Sequence, residues 1–335
     1  MGNSASIDVS LSKLYRSWFA FRKGKRESVE ILRFQYSLEA NLRQLHIDLV
    51  SGHYRHGGYD RFTVEESKRR EIAVAAVRDR VVHRLLYDYL MPIVDPTFID
   101  DVWSCRPGKG LHGAIERSQG YIARYQRAWL WRSDIKKMFD SIDHDVMKRL
   151  LRRRTTDETA LALLDNIIDS YEHDLASKQA SKQASKQASK QASKQGLPIG
   201  NLTSQILSNI YLNEFDRYIV HELRPLAYLR YGDDWLCFAR TEQELRIIQR
   251  QATQFLRDVL MLTLSPKLNM VQPVYRGVTF LGVDMWSNGR RITCETRRRI
   301  EQKLSPVNYP SYDALVRAFS NDDTIKKFYW DSTEV

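Results

Sequence analysis

The sequence predicts an α/β fold of the α+β kind, with helical lobes around a small antiparallel sheet. Three observations predict it. Residues 11–50 carry apolar and aromatic side chains at helical spacing, with basic residues between them. Arg127–Ser133 reads as a buried strand running straight into Asp134. Leu226–Ala239, with the sequence LAYLRYGDDWLCFA, sets two apolar strands on either side of Gly232-Asp233-Asp234, the composition of a tight hairpin.

Taken in order, the N-terminal helical signal has two faces, one of Leu11, Leu14, Tyr15 and Trp18, the other of Ile31, Phe34, Leu38, Leu42 and Leu45. Gly52 to Gly58 is turn-rich, and a short strand follows. Val77, Val81, Val82, Leu85, Leu86 and Tyr89 predict a helix over 76–92, ended by Pro92 and Pro96. Beyond the strand at 127–133, Ser141 or Asp143 offers an N-cap for a helix through Arg154. A further helix is predicted from just after Asn201-Leu202-Thr203 to about Leu223, with Leu207, Ile210, Tyr211, Phe215 and Tyr218 facing inward. Between these two helices Ser177-Lys178-Gln179-Ala180 recurs at 181, 185 and 189, and the series ends Ser193-Lys194-Gln195-Gly196. Nothing larger than alanine is apolar in it, so it has no face to bury. Its residue types favour helix, but lysines every four residues stack like charges. The expectation is an exposed insertion at a loop tip, partly helical or disordered, where added length costs little. The alternative is that Lys178, Lys182, Lys186, Lys190 and Lys194 form an arm that touches phosphates.

The chain of 335 residues has ample length for two or three lobes around a core. Its 52 Lys+Arg against 41 Asp+Glu leave +11, which favours a polyanionic partner because each phosphate contact releases condensed counterions. Cys105, Cys237 and Cys294 lie far apart without a CxxC pair, which argues against a disulfide framework or a zinc site and fits a reducing cytoplasm. The N-terminus lacks the apolar core of a signal peptide, and no run approaches membrane-spanning length, so a cytoplasmic protein without a membrane partner is expected.

The chemistry lies in the acids. A lone Gly-Asp is ordinary turn composition. Two adjacent carboxylates at the tip of an apolar ribbon repel each other unless a cation neutralises them, and hard oxygen ligands suit Mg²⁺. Asp134 emerges from a second apolar strand, and neighbouring strands would bring it to Asp233 and Asp234. Three carboxylates can hold two Mg²⁺ ions about 4 Å apart. Phosphoryl transfer at such a site works by position and charge, without a protein nucleophile.

These residues resemble a known family. Tyr231-Gly232-Asp233-Asp234 resembles the YxDD box of reverse transcriptases, and the run from Asp134 through Phe139 and Asp143 to His144 resembles their first catalytic motif. Arg70-Glu71-Ile72 with Asp79-Arg80, then Ser104–Gly110 (SCRPGKG), then Phe280-Leu281-Gly282 in the primer-grip position extend the resemblance, in order, over roughly residues 40–300. It implies a right-hand polymerase: a helical extension at 1–60, helical fingers at 61–125, an antiparallel-sheet palm at 126–282 interrupted by the SKQA insertion at 177–195, and a short thumb and tail at 283–335. It implies an RNA-directed DNA polymerase that copies template RNA into nascent cDNA from dNTPs with two Mg²⁺ ions, Mn²⁺ serving in vitro.

Leu197–Gln205 stands where retroviral and intron-type relatives have QGxxxSP. Its IGxxxSQ form is similar to the enzymes of bacterial diversity-generating retroelements, which copy their template with poor fidelity and work with a small basic accessory protein. Ile199 in place of an amide removes a hydrogen-bonding group beside the nascent pair, which should loosen base selection. The alternative is that Ile199 simply packs and fidelity is ordinary. Gly232 and the short tail depart from that subgroup, and phage-defence reverse transcriptases, which share many of these boxes, are the second assignment. A reading of another class is a catalytically silent RNA-binding protein, which need not retain three acids that this chain does retain.

The resemblance also implies roles. Asp134, Asp233 and Asp234 would hold the metal, with the backbone carbonyl of Ile135. Phe139 matches the steric gate that excludes a sugar 2′-hydroxyl. Viral RNA polymerases tend to have an acid at that spacing, whereas here the acid is Asp140, one place later, which favours DNA synthesis. Arg70 matches the finger arginine on the triphosphate, with Lys68 the nearest candidate for its partner lysine. Ile199, Gly200 and Gln205 belong with the incoming nucleotide, and Lys267 is a candidate proton donor to pyrophosphate or a solvated lysine. Arg106, Lys109, Tyr231 and Gly282 form the template and primer set, although Tyr231, with Trp235, also reads as hairpin packing.

Overall fold

Three helices replace the single N-terminal helical signal: α1 (Leu11–Arg22), α2 (Val29–Tyr36) and α3 (Leu38–Val50). Ser10 and Ser28 cap the first two, each accepting the N–H three residues on at 3.3 Å, and Gly24 at φ +72° turns the chain between them. In chain order there follow β1 (Tyr59–Glu65), β2 (Arg69–Ala75), α4 (Val77–Val94), α5 (Leu111–Arg124), β3 (Trp129–Ile135), α6 (Met138–Ser141), α7 (His144–Arg152), α8 (Glu158–Lys182) and α9 (Leu202–Arg217). Then come β4 (Ala227–Tyr231), β5 (Asp234–Ala239), α10 (Glu242–Leu260), β6 (Leu264–Pro273), β7 (Val278–Phe280), β8 (Val283–Trp286), β9 (Gly289–Ile292), α11 (Cys294–Lys303) and α12 (Tyr309–Phe319). This computed structural model describes residues 6–65, 69–182, 194–305, 308–319 and 328. Lys68, most of the SKQA repeat and the tail at 331–335 lie outside the described residues.

The predicted α+β composition is what forms, with local differences. Pro92 does not end α4. It forfeits the one bond its missing N–H would have made, while the Asp95 N–H still reaches the Met91 carbonyl, so the helix continues to Val94. Asp143, rather than Ser141, is the N-cap of α7, accepting the Val146 N–H at 2.9 Å. The helix expected to reach Leu223 changes winding: α9 ends at Arg217 and a π-helical segment covers Tyr218–Leu223. That shift of register buries Ile219 where Tyr218 was expected.

By contacts the chain divides into two units that interleave along the sequence. The first comprises the described residues up to Ile99, Lys136–Asp216 and Phe255–Thr263. In it α1 packs on α3 and α4. Trp18 stacks on Phe34 at 5.1 Å, and Leu14, Leu42, Leu45, Val81 and Leu85 are fully buried. β1 and β2 pair antiparallel from Tyr59↔Ala75 to Glu65↔Arg69. Tyr59, Ala73 and Ala75 make a small core with Tyr171 of α8.

The second unit comprises Asp100–Ile135, Arg217–Gln254 and the described residues from Leu264 onward. Its centre is a four-stranded antiparallel sheet in the order β4-β5-β3-β6, beside a three-stranded sheet β7-β8-β9. Leu130, Leu229, Leu236 and Phe238 on one face of the larger sheet share a core with Ile115, Ile122, Phe280, Met285 and Phe319. The opposite face buries Trp131 against Trp235, edge to face at 5.6 Å.

Candidate active site

The acids are placed by strand register. β4 and β5 close on the pair Tyr231↔Asp234, leaving Gly232-Asp233 as a two-residue turn, and Gly232 supplies φ +64° at its first position. β5 runs antiparallel to β3 with Asp134 directly opposite Asp234, Arg132 opposite Leu236 and Leu130 opposite Phe238. Residues opposite one another share a face, so the face that begins in the apolar core ends in two facing carboxylates with Asp233 adjacent. Separation in the sequence is thus cancelled by pairing.

Like charges opposite each other across a ladder are destabilising. Burial, with Asp233 and Asp134 adding to it, raises the Asp234 carboxyl from 3.8 to about 6, against the opposing pull of Arg132. Arg132 grips Asp234 with two bonds, Nε to Oδ1 at 3.2 Å and a terminal nitrogen to Oδ2 at 2.7 Å. Asp134 is 8% exposed, and its Oδ1 is buried without a hydrogen-bond partner. Among the described residues no three acidic, histidine or cysteine side chains are gathered in metal-ligand geometry. An orphaned anionic oxygen beside a second carboxylate is nonetheless an all-oxygen donor set that fits a hard divalent cation.

The turn rests on polar residues that sequence reasoning did not single out. Ser104 Oγ accepts the Gly232 N–H at 2.9 Å. Arg230, fully buried in β4, donates to the Gly232 carbonyl at 2.7 Å, and its backbone pairs with Asp101 and Trp103. Asp101 is held in turn by two Arg117 nitrogens, Nε and a terminal one, at 2.9 and 3.0 Å and by the Tyr121 hydroxyl. A single arginine inside the apolar run LAYLRY was the available signal, since a buried guanidinium demands partners.

The other residues of this unit are placed as follows. Lys267 lies within β6: Ser133↔Asn269 is followed by Ile135↔Leu264, so residues 265–268 bulge out opposite Asp134, and Lys267 is exposed there. Arg106 donates to the Val102 carbonyl at 3.1 Å. Lys109 binds the Asp100 carboxylate at 2.8 Å and sits 4.2 Å above the Trp103 ring, so both cations shape their own loop. Tyr231 is half-buried against the core, as hairpin packing requires. Gly282, at φ +79°, follows Leu281 at φ +53° in the two-residue turn between β7 and β8.

The first unit gathers the nucleotide candidates separately. The Ile199 carbonyl accepts the Ala73 N–H of β2 at 2.9 Å, and Asn201 clamps the same strand through Ala73 O at 2.7 Å and Ala75 N at 3.1 Å. Gly200 takes φ +113° against Ile72. The Phe139 carbonyl accepts the Leu197 N–H at 2.7 Å, which joins the predicted gate to the same segment. Arg70 is exposed on β2, and Gln205 is exposed on α9. Ile135 ends β3, its side chain 2% exposed.

With this geometry in place, comparison with known proteins gives the class: residues 60–285 match the reverse transcriptase (RNA-dependent DNA polymerase) family, and the chain belongs to it. Its similarity to individual proteins is modest. It is 26% identical over 294 residues to protein YkfC of Escherichia coli K12, covering 76% of this chain and 74% of that protein. It is 26% identical over 153 residues to the group II intron-encoded protein LtrA of Lactococcus lactis subsp. cremoris, covering 46% and 23%. It is 30% identical over 89 residues to nuclear intron maturase 1, mitochondrial, of Arabidopsis thaliana, covering 27% and 12%. The matches thus span under a quarter of the two intron-related proteins. Among the described residues no helix is long and apolar enough to cross a membrane.

Proposed function

We propose that the chain copies a template RNA into cDNA, and that Asp134, Asp233 and Asp234 are its catalytic acids. The observation that carries this is the facing of Asp134 and Asp234 at the end of an apolar sheet, with Asp134 Oδ1 buried and unpartnered. On this reading the three carboxylates and the Ile135 carbonyl would hold Mg²⁺. When bound, the metal supplies Lewis-acid stabilisation to phosphate oxygens. Asp134 and Asp234 fix where that charge sits, while Arg70 and Gln205 engage the incoming dNTP and Phe139 excludes ribose. Residues 61–125 then serve as fingers, 126–282 as palm and 283–335 as thumb. Asp233→Asn should abolish dNTP incorporation on a primed RNA with Mg²⁺ while RNA affinity stays within about twofold. Full activity in that variant would end the assignment.

The copying is proposed to be error-prone, as in diversity-generating retroelements. What supports this is Ile199: its main chain is committed to β2, and its side chain offers no hydrogen bond. Sequencing of cDNA should reveal several-fold fewer substitutions for Ile199→Gln than for wild type. Identical error spectra would leave Ile199 as packing and fidelity as ordinary.

A further inference from the structure

We infer that Arg132 is a positioning residue that ties the acid Asp234 and the turn at Leu281-Gly282 to one strand, so that the catalytic carboxylate and that turn are set in place together. The inference rests on the polymerase reading for its consequence, though not for its geometry.

Arg132 stands on β3 two residues before Asp134 and on the same face. Its guanidinium is used at three places. Nε and one terminal nitrogen hold both oxygens of Asp234. The other terminal nitrogen donates to the Thr279 carbonyl of β7. The group also lies 5.7 Å from the centre of the Phe280 ring. A planar fork with donors on two edges can bridge two elements at once, which an ammonium on a flexible stem does with far less directional control. The side chain is 12% exposed, so its grip on Asp234 is made largely out of water, while the bond to Thr279 lies at an exposed position.

The far end of the bridge is a segment under strain. Leu281, a γ-branched residue, holds φ +53°, and Gly282 follows at φ +79°. Glycine adopts that region freely, but a leucine held there persists only where the surroundings over-determine it. Two anchors are visible. The Gly282 carbonyl accepts the Thr293 N–H and the Thr296 hydroxyl at 3.0 Å each, and a Cβ at Gly282 would lie 2.7 Å from Thr296 Oγ1. Before the turn, Thr279 is held through its carbonyl by Arg132 and through its hydroxyl, which donates to Asp284 at 2.6 Å. Arg132 is the anchor that leads back to an acid of the sheet.

The test uses the full chain as Arg132→Met, which keeps the stem, and Arg132→Lys, which keeps the charge without the fork. Backbone amide exchange is read on the metal-free protein, so this arm is independent of polymerisation. Exchange across 278–283 should rise at least about tenfold in both variants, while amides of 129–131 and 235–239 keep their protection. In primer extension on RNA, kcat should fall roughly 10- to 100-fold and the KM for primed template should rise, with the KM for dNTP within about twofold. Unchanged exchange at 278–283 in both variants overturns the coupling. A parallel rise of both KM values, with protection lost throughout the sheet, also overturns it and makes Arg132 a general stability residue. If Arg132→Met loses the whole sheet, Arg132→Lys decides by the same criterion. A wild type that fails to polymerise while the exchange result holds would overturn the polymerase reading and leave the bridge intact.

Discussion

At the scale of single residues, Asp234 is an acid that its surroundings hold back from ionising. Its carboxyl is raised from 3.8 to about 6, first by burial and then by its acidic neighbours. The folded chain therefore holds that proton more tightly than the unfolded chain. The associated stabilisation is full below the unfolded value and is lost as pH rises through the folded one. In chelator, the stability of wild type relative to Asp234→Asn should fall between roughly pH 4 and pH 6.5, measured by urea denaturation. At neutral pH, Mg²⁺ should raise the midpoint of wild type and have little effect on the variant. A difference that stays flat with pH would show that Asp234 is not under this strain. The acids themselves were legible in the sequence because two adjacent carboxylates in an apolar ribbon have no structural use. Ser104 and Arg132 were not, because periodicity reports which apolar residues are buried and carries no signal for polar ones buried with them, whereas Arg230 stood out as the one charge in an apolar run.

At the scale of elements, the segment after the repeat is held to β2 by backbone geometry. Gly200 sits at φ +113°, and a Cβ there would stand 2.8 Å from Ile72 Cγ2. Gly200→Ala should cost about 2–4 kcal/mol in urea denaturation, combining a strained dihedral with overpacking. Adding Ile72→Ala, which removes Cγ2, should recover only the steric part, so full recovery would refute the dihedral argument. Strand and helix centres were readable here, and even the turn at Gly232-Asp233 was, since its residue types match its backbone. Ends and registers were not. Pro92 is tolerated because the bonds around it close, and the π-helical segment after Arg217 moves Tyr218 off the buried face for reasons that no window of residue types records.

At the scale of the molecule, the chain is divided by contacts into two units that interleave along the sequence. The surplus of +11 is spread over such a chain, and the SKQA lysines are a part of it that no core requires. The end of that insertion is pinned by the His144 N–H on the Lys194 carbonyl at 2.9 Å and by the pairing of Gln195 with Asp143. Removing residues 185–192, two whole repeat units with two lysines, should leave the melting temperature within about 2 °C and the salt dependence of RNA binding unchanged. A slope shallower by about one unit or more would assign those lysines to phosphate contacts.

The order β4-β5-β3-β6 leaves β5 and β3 in the interior of their sheet, so each strand bearing a paired acid is laced to a neighbour on both sides. Sliding either by one step would break two ladders and send its carboxylate to the tryptophan side. The gap between Asp134 and Asp234 is therefore as constant as the spacing of a β-ladder, about 5 Å between Cα atoms. On the proposed reading, a lineage is free to rebuild everything around that ladder, because the distance between its candidate acids is not among the things that drift.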